Sequence, residues 1–196
     1  MTANRLLHFV AAMTRLVEAH PGNEAALMAG ATPLLRDLVS VDDWLPEAMA
    51  AAHPQYSQQH LLYGDPLDRF SLVSFVWGPG QKTPAHDHTV WGLIAMLRGS
   101  ECGQSYARQA DGSLVPSGPE LRLEPGNIDR VSPSLGDIHR VRNAYDDRCS
   151  ISIHLYGGNI GRIARHVFVA ETGEVKPFVS GYSNLLVPNL WPRESA

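Results

Sequence analysis

Between residues 4 and about 20, Leu6, Leu7, Phe9, Val10, Met13, Leu16 and Val17 recur at the three-to-four spacing of one helical stripe. Pro21-Gly22 stops that helix. A second helical stretch begins at Asn23, and Thr32-Pro33 reads as an N-cap followed by a first-turn proline, predicting a fresh helical piece over 34–39. Asp42 is placed to cap a third piece over 44–52. These alanine-rich segments carry no reactive cluster. Their expected role is to cover one side of the rest of the chain.

From Tyr56 the period shortens. Residues 70–77, 90–97, 121–123, 150–156 and 166–169 are rich in β-branched and aromatic side chains. Turn signals separate them at Gly64-Asp65-Pro66, Gly78-Pro79-Gly80, Asp111-Gly112, Glu124-Pro125-Gly126 and Gly157-Gly158-Asn159. Short strands at this spacing predict a mostly β protein, a small antiparallel barrel or jelly roll with an α-helical N-terminal cover. One domain over 1–196 is expected, helical over 1–55 and barrel over 56–196. Leu185, Leu186, Val187 and Leu190 predict that the tail, 182–191, docks on the barrel.

Composition narrows the function classes. A net charge of −4 gives no electrostatic case for nucleic acid or an anionic membrane. No apolar run reaches the length of a membrane span. Cys102 and Cys149 are too few for a disulfide scaffold and are expected to be buried small hydrophobes. No secretory leader pattern is present in the sequence, so the expected compartment is cytoplasmic, where ferrous iron persists.

The candidate chemistry centres on His86-Asp87-His88. Two histidines one residue apart on an extended strand project to the same face and can share a metal ion. Neutral imidazole suits Fe, Zn, Cu or Ni. His139, in Gly136-Asp137-Ile138-His139, is the best third ligand, with His154 as its competitor. Ser152, His154 and Tyr156 stand at i, i+2 and i+4, so a strand sends all three to one face and Ile151, Ile153 and Leu155 to the other. Three polar side chains on an inward face need partners. Asp87, between the two ligands, faces away and is expected to make a structural hydrogen bond. Trp77 and Trp91 read as barrel wall, with Trp91 near enough in sequence to line a pocket. Arg140, Arg142 and Arg162 read as surface charges.

Gly80, His86-Asp87-His88 and Gly99 match the first motif of the cupin superfamily, and Pro133, Gly136, His139 and Asn143 approximate the second with one extra residue. The cupin context favours His139 over His154. Most metal-binding cupins complete the first motif with a glutamate, and here Gly92 stands at that position, leaving three neutral histidines. With this departure, His86-Asp87-His88-Thr89, Gly136 to Asn143 and Ser152 to Tyr156 resemble the cysteine dioxygenase family of thiol dioxygenases over nearly the whole chain. The resemblance implies Fe(II) held by His86, His88 and His139, a Ser152-His154-Tyr156 relay, and O₂ added to a thiolate to give a sulfinate with no organic cofactor.

Gln59 stands where the mammalian members place a carboxylate-binding arginine. This is similar to the bacterial 3-mercaptopropionate dioxygenases, in which a later arginine, here Arg165, takes that role. Trp91-Gly92-Leu93 replaces the region of the mammalian crosslinking cysteine, so Tyr156 is expected unmodified. The alternatives are L-cysteine as substrate, a non-catalytic metal-binding cupin sensor, and a zinc cupin isomerase.

Overall fold

The structure, a computed structural model, describes residues 5–169 and 173–190. Trp191, the last residue of the expected tail, lies outside them. Helix α1 (Arg5–Ala19) buries Leu6, Phe9, Val10, Met13 and Val17, which is the expected stripe. Helix α2 (Glu24–Leu38) is capped by Asn23, whose side-chain oxygen accepts the Ala26 N–H at 3.1 Å.

The break expected at Thr32-Pro33 does not occur, and α2 runs straight through the proline. Pro33 has no N–H to give to the preceding turn. Leu35 and Leu38 nevertheless continue the buried stripe begun by Leu27, Met28 and Ala31. Burial of that stripe outweighs the missing bond. The Thr32 hydroxyl donates back to the Met28 carbonyl at 2.7 Å. Asp42 caps nothing. It forms a two-point ion pair with Arg98, and a single 3-10 turn, Glu47–Met49, comes after Pro46 instead.

Among the described residues the chain then forms twelve strands. They are β1 (Gln58–Gly64), β2 (Ser71–Trp77), β3 (Ala85–His86), β4 (Gly92–Arg98), β5 (Glu101–Arg108) and β6 (Leu114–Pro116). The second half holds β7 (Leu121–Leu123), β8 (Ile128–Val131), β9 (Ile138–Asn143), β10 (Ser150–Tyr156), β11 (Arg165–Phe168) and β12 (Val175–Phe178). One sheet has the order β1-β2-β10-β4-β8. The other runs β12-β11-β3-β9-β5-β6, with β7 also on β5. Every pairing is antiparallel. Two such curled sheets with a helical cover make a cupin barrel.

The five-stranded sheet has two buried faces. Leu72 and Val76 of β2, Leu93, Ala95 and Leu97 of β4, and Ile151, Ile153 and Leu155 of β10 share one core with α1 and α2. The alternate residues of β2 and β10 face the barrel interior, where Phe75, Trp77, His154 and Tyr156 line a cavity. The tail docks as expected, largely through polar side chains. Asn184 brackets Leu61 of edge strand β1 with bonds of 2.7 and 3.0 Å, and Tyr182 bonds Asn159 and Gly161. Leu185 and Leu186 are 102% and 79% exposed, whereas Leu190 packs against the core.

Ile153 is fully buried between β10's sheet and the helices. Ile153→Ala should lower stability by about 2–5 kcal/mol, seen as a shifted urea midpoint at unchanged slope. Leu185→Ala should stay within about 0.5 kcal/mol.

Candidate active site

A cavity of about 350 Å³ opens between the two sheets. His86 of β3 and His139 of β9 face each other directly in register, and their rings lie 4.8 Å apart. Strand β3 ends at His86, so His88 reaches the same place by a bend rather than by strand alternation. Thr89 takes a left-handed φ of 60° there, a strained angle for a β-branched residue.

Asp137 holds the bend. Its carboxylate accepts the backbone N–H groups of His88 and Thr89 at 3.0 and 2.8 Å, and pairs with His88 Nδ1 at 3.0 Å. That bond places the His88 proton on Nδ1 and leaves Nε2 as a lone-pair donor. Asp137 was legible as part of Gly136-Asp137-Ile138-His139, but its bond to a loop 49 residues earlier was not.

The nitrogens of His86, His88 and His139 come within 4.8 Å of one another, the one such metal-competent group among the described residues. Burial pushes the His86 pKa down to about 4, and those of His88 and His139 well below the ordinary value. All three are neutral near pH 7, the state that ligates.

His154 stands apart from this group because both its nitrogens are engaged. Nε2 lies 2.8 Å from Ser152 Oγ and Nδ1 2.8 Å from Tyr156 Oη. The row extends beyond the three residues read from the sequence, since Ser152 Oγ also lies 2.8 Å from Glu101 Oε2. Glu101 belongs to the facing sheet. Only the pairing of β5 against β9, which turns Glu101 inward, reveals it. At the other end, the Tyr156 ring stacks on His88 with 5.5 Å between centroids. A Cβ added at Gly92 would lie 2.8 Å from Tyr156 Cδ1 and 3.0 Å from Val131 Cγ2.

Arg165, at the start of β11, is 4% exposed and lines the cavity. Its guanidinium lies over the Phe178 ring at 4.6 Å, and its Nε–H has no partner. No carboxylate among the described residues forms an ion pair with it. Burial lowers its pKa. Gln59 of β1 lines the same cavity, but its amide N–H₂ donates to Ser180 Oγ and the Gly181 carbonyl, leaving only its carbonyl to a ligand. His60 points the other way and is buried toward the helical side.

Asp87 faces away from the cluster and ties β3 to β11 through the His166 N–H and Nδ1, at 2.7 and 2.8 Å. Trp77 lines the cavity. Trp91 does not: it packs into the core shared with the helices, its indole against Gly157. Cys102 is buried as expected, whereas Cys149 is exposed, because it precedes β10 in a loop. Arg142 and Arg162 pair on the surface with Glu120 and Asp68, and Arg140 is exposed.

A cupin barrel with three inward imidazoles defines a candidate metalloprotein, and comparison with known proteins narrows it. The family described as cysteine dioxygenase type I matches residues 47–167. Cysteine dioxygenase type 1 of Homo sapiens is 27% identical over 129 residues, covering 64% of this chain and 62% of that protein. The Danio rerio protein of the same name is 26% identical over 118 residues, covering 58% and 56%. A cupin superfamily protein from Desulfitobacterium hafniense aligns in structure at 13% identity and a TM-score of 0.45, over 61% of this chain and 94% of that one. The chain belongs to the cysteine dioxygenase type I family. It spans less than two thirds of the length of either named relative.

Four buried neutral histidines, His86, His88, His139 and His154, set an acid dependence. Each titrates near 6.5 when unfolded, while His86 and His154 fall to about 4 and about 3 when folded. Between those values the unfolded chain binds protons that the folded chain refuses. Stability of the metal-free chain should therefore fall as pH drops below about 6.5, by up to about 1.4 kcal/mol per pH unit for each histidine. Urea midpoints measured across that range check it.

Proposed function

We propose that this protein is a non-haem iron thiol dioxygenase acting on a small thiol carboxylate, with 3-mercaptopropionate favoured over L-cysteine. The observation that carries the substrate class is Arg165: a guanidinium buried without a carboxylate costs several kcal/mol unless a ligand supplies one. The donor set fits Fe(II), since three neutral imidazoles are good ligands for it and leave positions open to small molecules. Iron, when bound by His86, His88 and His139, supplies the redox chemistry that lets O₂ react with a thiolate. The overall change balances as RS⁻ + O₂ → RSO₂⁻: two S–O bonds form, the O–O bond breaks, sulfur loses four electrons and O₂ gains four. No outside reductant enters, and the oxidation itself requires no further cofactor.

The chain's own residues position the reaction. Arg165 would hold the substrate carboxylate through two parallel N–H···O bonds, with Phe178 fixing the plane of the guanidinium. Tyr156, locked by His154 and stacked on His88, would direct its hydroxyl at the substrate. Phe75, Trp77 and Val141 give the cavity an apolar wall that would limit water around a bound thiolate.

Preference for a thiol acid without an α-amino group rests on the cavity lining, which contains no Asp or Glu among the described residues. An α-ammonium would meet only neutral acceptors such as the Gln59 carbonyl, and burying it unpaired is costly. The relatives carry the name cysteine dioxygenase, and L-cysteine is the second reading.

O₂ uptake by the iron-loaded enzyme should show a higher kcat/KM for 3-mercaptopropionate than for L-cysteine or cysteamine. Arg165→Ala should lower that ratio by about 2–5 kcal/mol for the thiol acid. An equal or better ratio with L-cysteine overturns the preference, and a normal Arg165→Ala enzyme overturns the clamp.

Iron content separates the histidines. His139→Ala should lose the metal on gel filtration, whereas His154→Ala should keep it and lose rate. The reverse pattern would assign the third ligand to His154.

A further inference from the structure

Glu101 is 1% exposed at the start of β5, and no cation among the described residues forms an ion pair with it. Its Oε2 meets Ser152 Oγ at 2.8 Å, and the Trp77 indole N–H comes within 3.4 Å of that serine oxygen. Burial raises its pKa to about 7. Hydrogen bonds from Ser152 and Trp77 pull it back, and Asp129 of β8 pushes it further up. Cys102 and Tyr156 are the other titratable groups that feel its charge.

The row Glu101–Ser152–His154–Tyr156 has three hydrogen bonds and a limited supply of protons, so its direction is determined at one end. With Glu101 ionised, the Ser152 hydroxyl must donate to it. Ser152 Oγ then accepts from His154 Nε2–H, and His154 Nδ1 accepts the Tyr156 hydroxyl. With Glu101 protonated, every bond reverses: Glu101 donates to Ser152, Ser152 to His154 Nε2, and His154 Nδ1–H to the Tyr156 oxygen. The heavy-atom distances of 2.8 Å serve both arrangements.

The interconversion balances. A proton entering at Tyr156 from the cavity moves the Tyr156 proton to Nδ1, the Nε2 proton to Ser152 and the Ser152 proton to Glu101. Four protons each shift one place, and only Glu101 changes charge.

We infer that Glu101 is a positioning residue that sets the polarity of the row, so that Tyr156 offers the cavity an O–H donor when Glu101 is protonated and a lone-pair acceptor when it is ionised. Its kinetic consequence rests on the dioxygenase reading, in which Tyr156 donates toward substrate. Turnover should then be highest below the Glu101 pKa and fall above it.

The direct test is the tautomer of His154 in the full-length chain, read from the ¹⁵N resonances of its ring by NMR as pH is moved through about 7. Nδ1–H below that pH and Nε2–H above it is the expected result. Glu101→Gln, which fills the same place without a titrating proton, should hold one tautomer throughout. If that variant does not fold, Ser152→Ala cuts the row while keeping Glu101 and should also abolish the switch. A single tautomer in the unaltered chain overturns the inference, and so does a switch that survives either substitution.

In the iron-loaded enzyme, kcat should drop about tenfold per pH unit above that point with KM unchanged, and Glu101→Gln should remove this limb. A limb that persists in Glu101→Gln overturns the kinetic claim. Should no thiol be oxidised at all, the dioxygenase reading falls, while the tautomer still decides the role of Glu101.

Discussion

Strand β10 is buried along its whole length and must satisfy two unlike environments with one alternating sequence. Its Ile151, Ile153 and Leu155 hold the helices to the sheet, and each contributes about 1.5–3 kcal/mol by leaving water. Its Ser152, His154 and Tyr156 look into the barrel, where each polar group has lost water and must find another partner. They find one another, at 2.8 Å along the row. Because the side-chain period is two, a one-residue slip would put isoleucine in the site and histidine among the helices. Packing of the cover and geometry of the site are therefore fixed by the same register.

This double duty explains what was legible in the sequence. Strand β10 could be read from its alternation alone, and the convergence of His86, His88 and His139 from spacing together with resemblance. What was hidden depended on contacts distant along the chain. The helix break at Pro33 failed because the buried stripe of α2 continues past it. Asp42 looked like a cap because nothing local shows that Arg98 comes beside it. Of the tail leucines that suggested docking, Leu190 packs against the core while Leu185 and Leu186 are exposed, and Asn184 ties the tail down by imitating a neighbouring strand's hydrogen bonds. The place of Glu101 in the row and the hold of Asp137 on the His88 bend were invisible for the same reason: each acts across a sheet or loop whose register only the fold provides.

The interior is also unusual in its charge. The metal-competent cluster is neutral, His154 is neutral, and Arg165 is the one Lys or Arg among the described residues that line the cavity. Asp87 and Asp137 are turned to structural partners, His166 and the His88–Thr89 bend, and Glu101 is held by Ser152 at the far end of the row. No carboxylate among the described residues pairs with Arg165, so its counter-charge must come from whatever binds. A ligand carrying a thiolate and a carboxylate would bring two such charges, one for a bound divalent ion and one for Arg165.

The tight contact at Gly92 has a consequence for how such a site can change over time. The volume beside this glycine is already filled by the ring of Tyr156 and the methyl of Val131. Any side chain added at Gly92 competes with the tyrosine for the same space, and removing the ring would leave an unfilled hole against Val131. The wall of the cavity beside Gly92 is thus closed to a further side chain by packing, whatever the chemistry of that side chain.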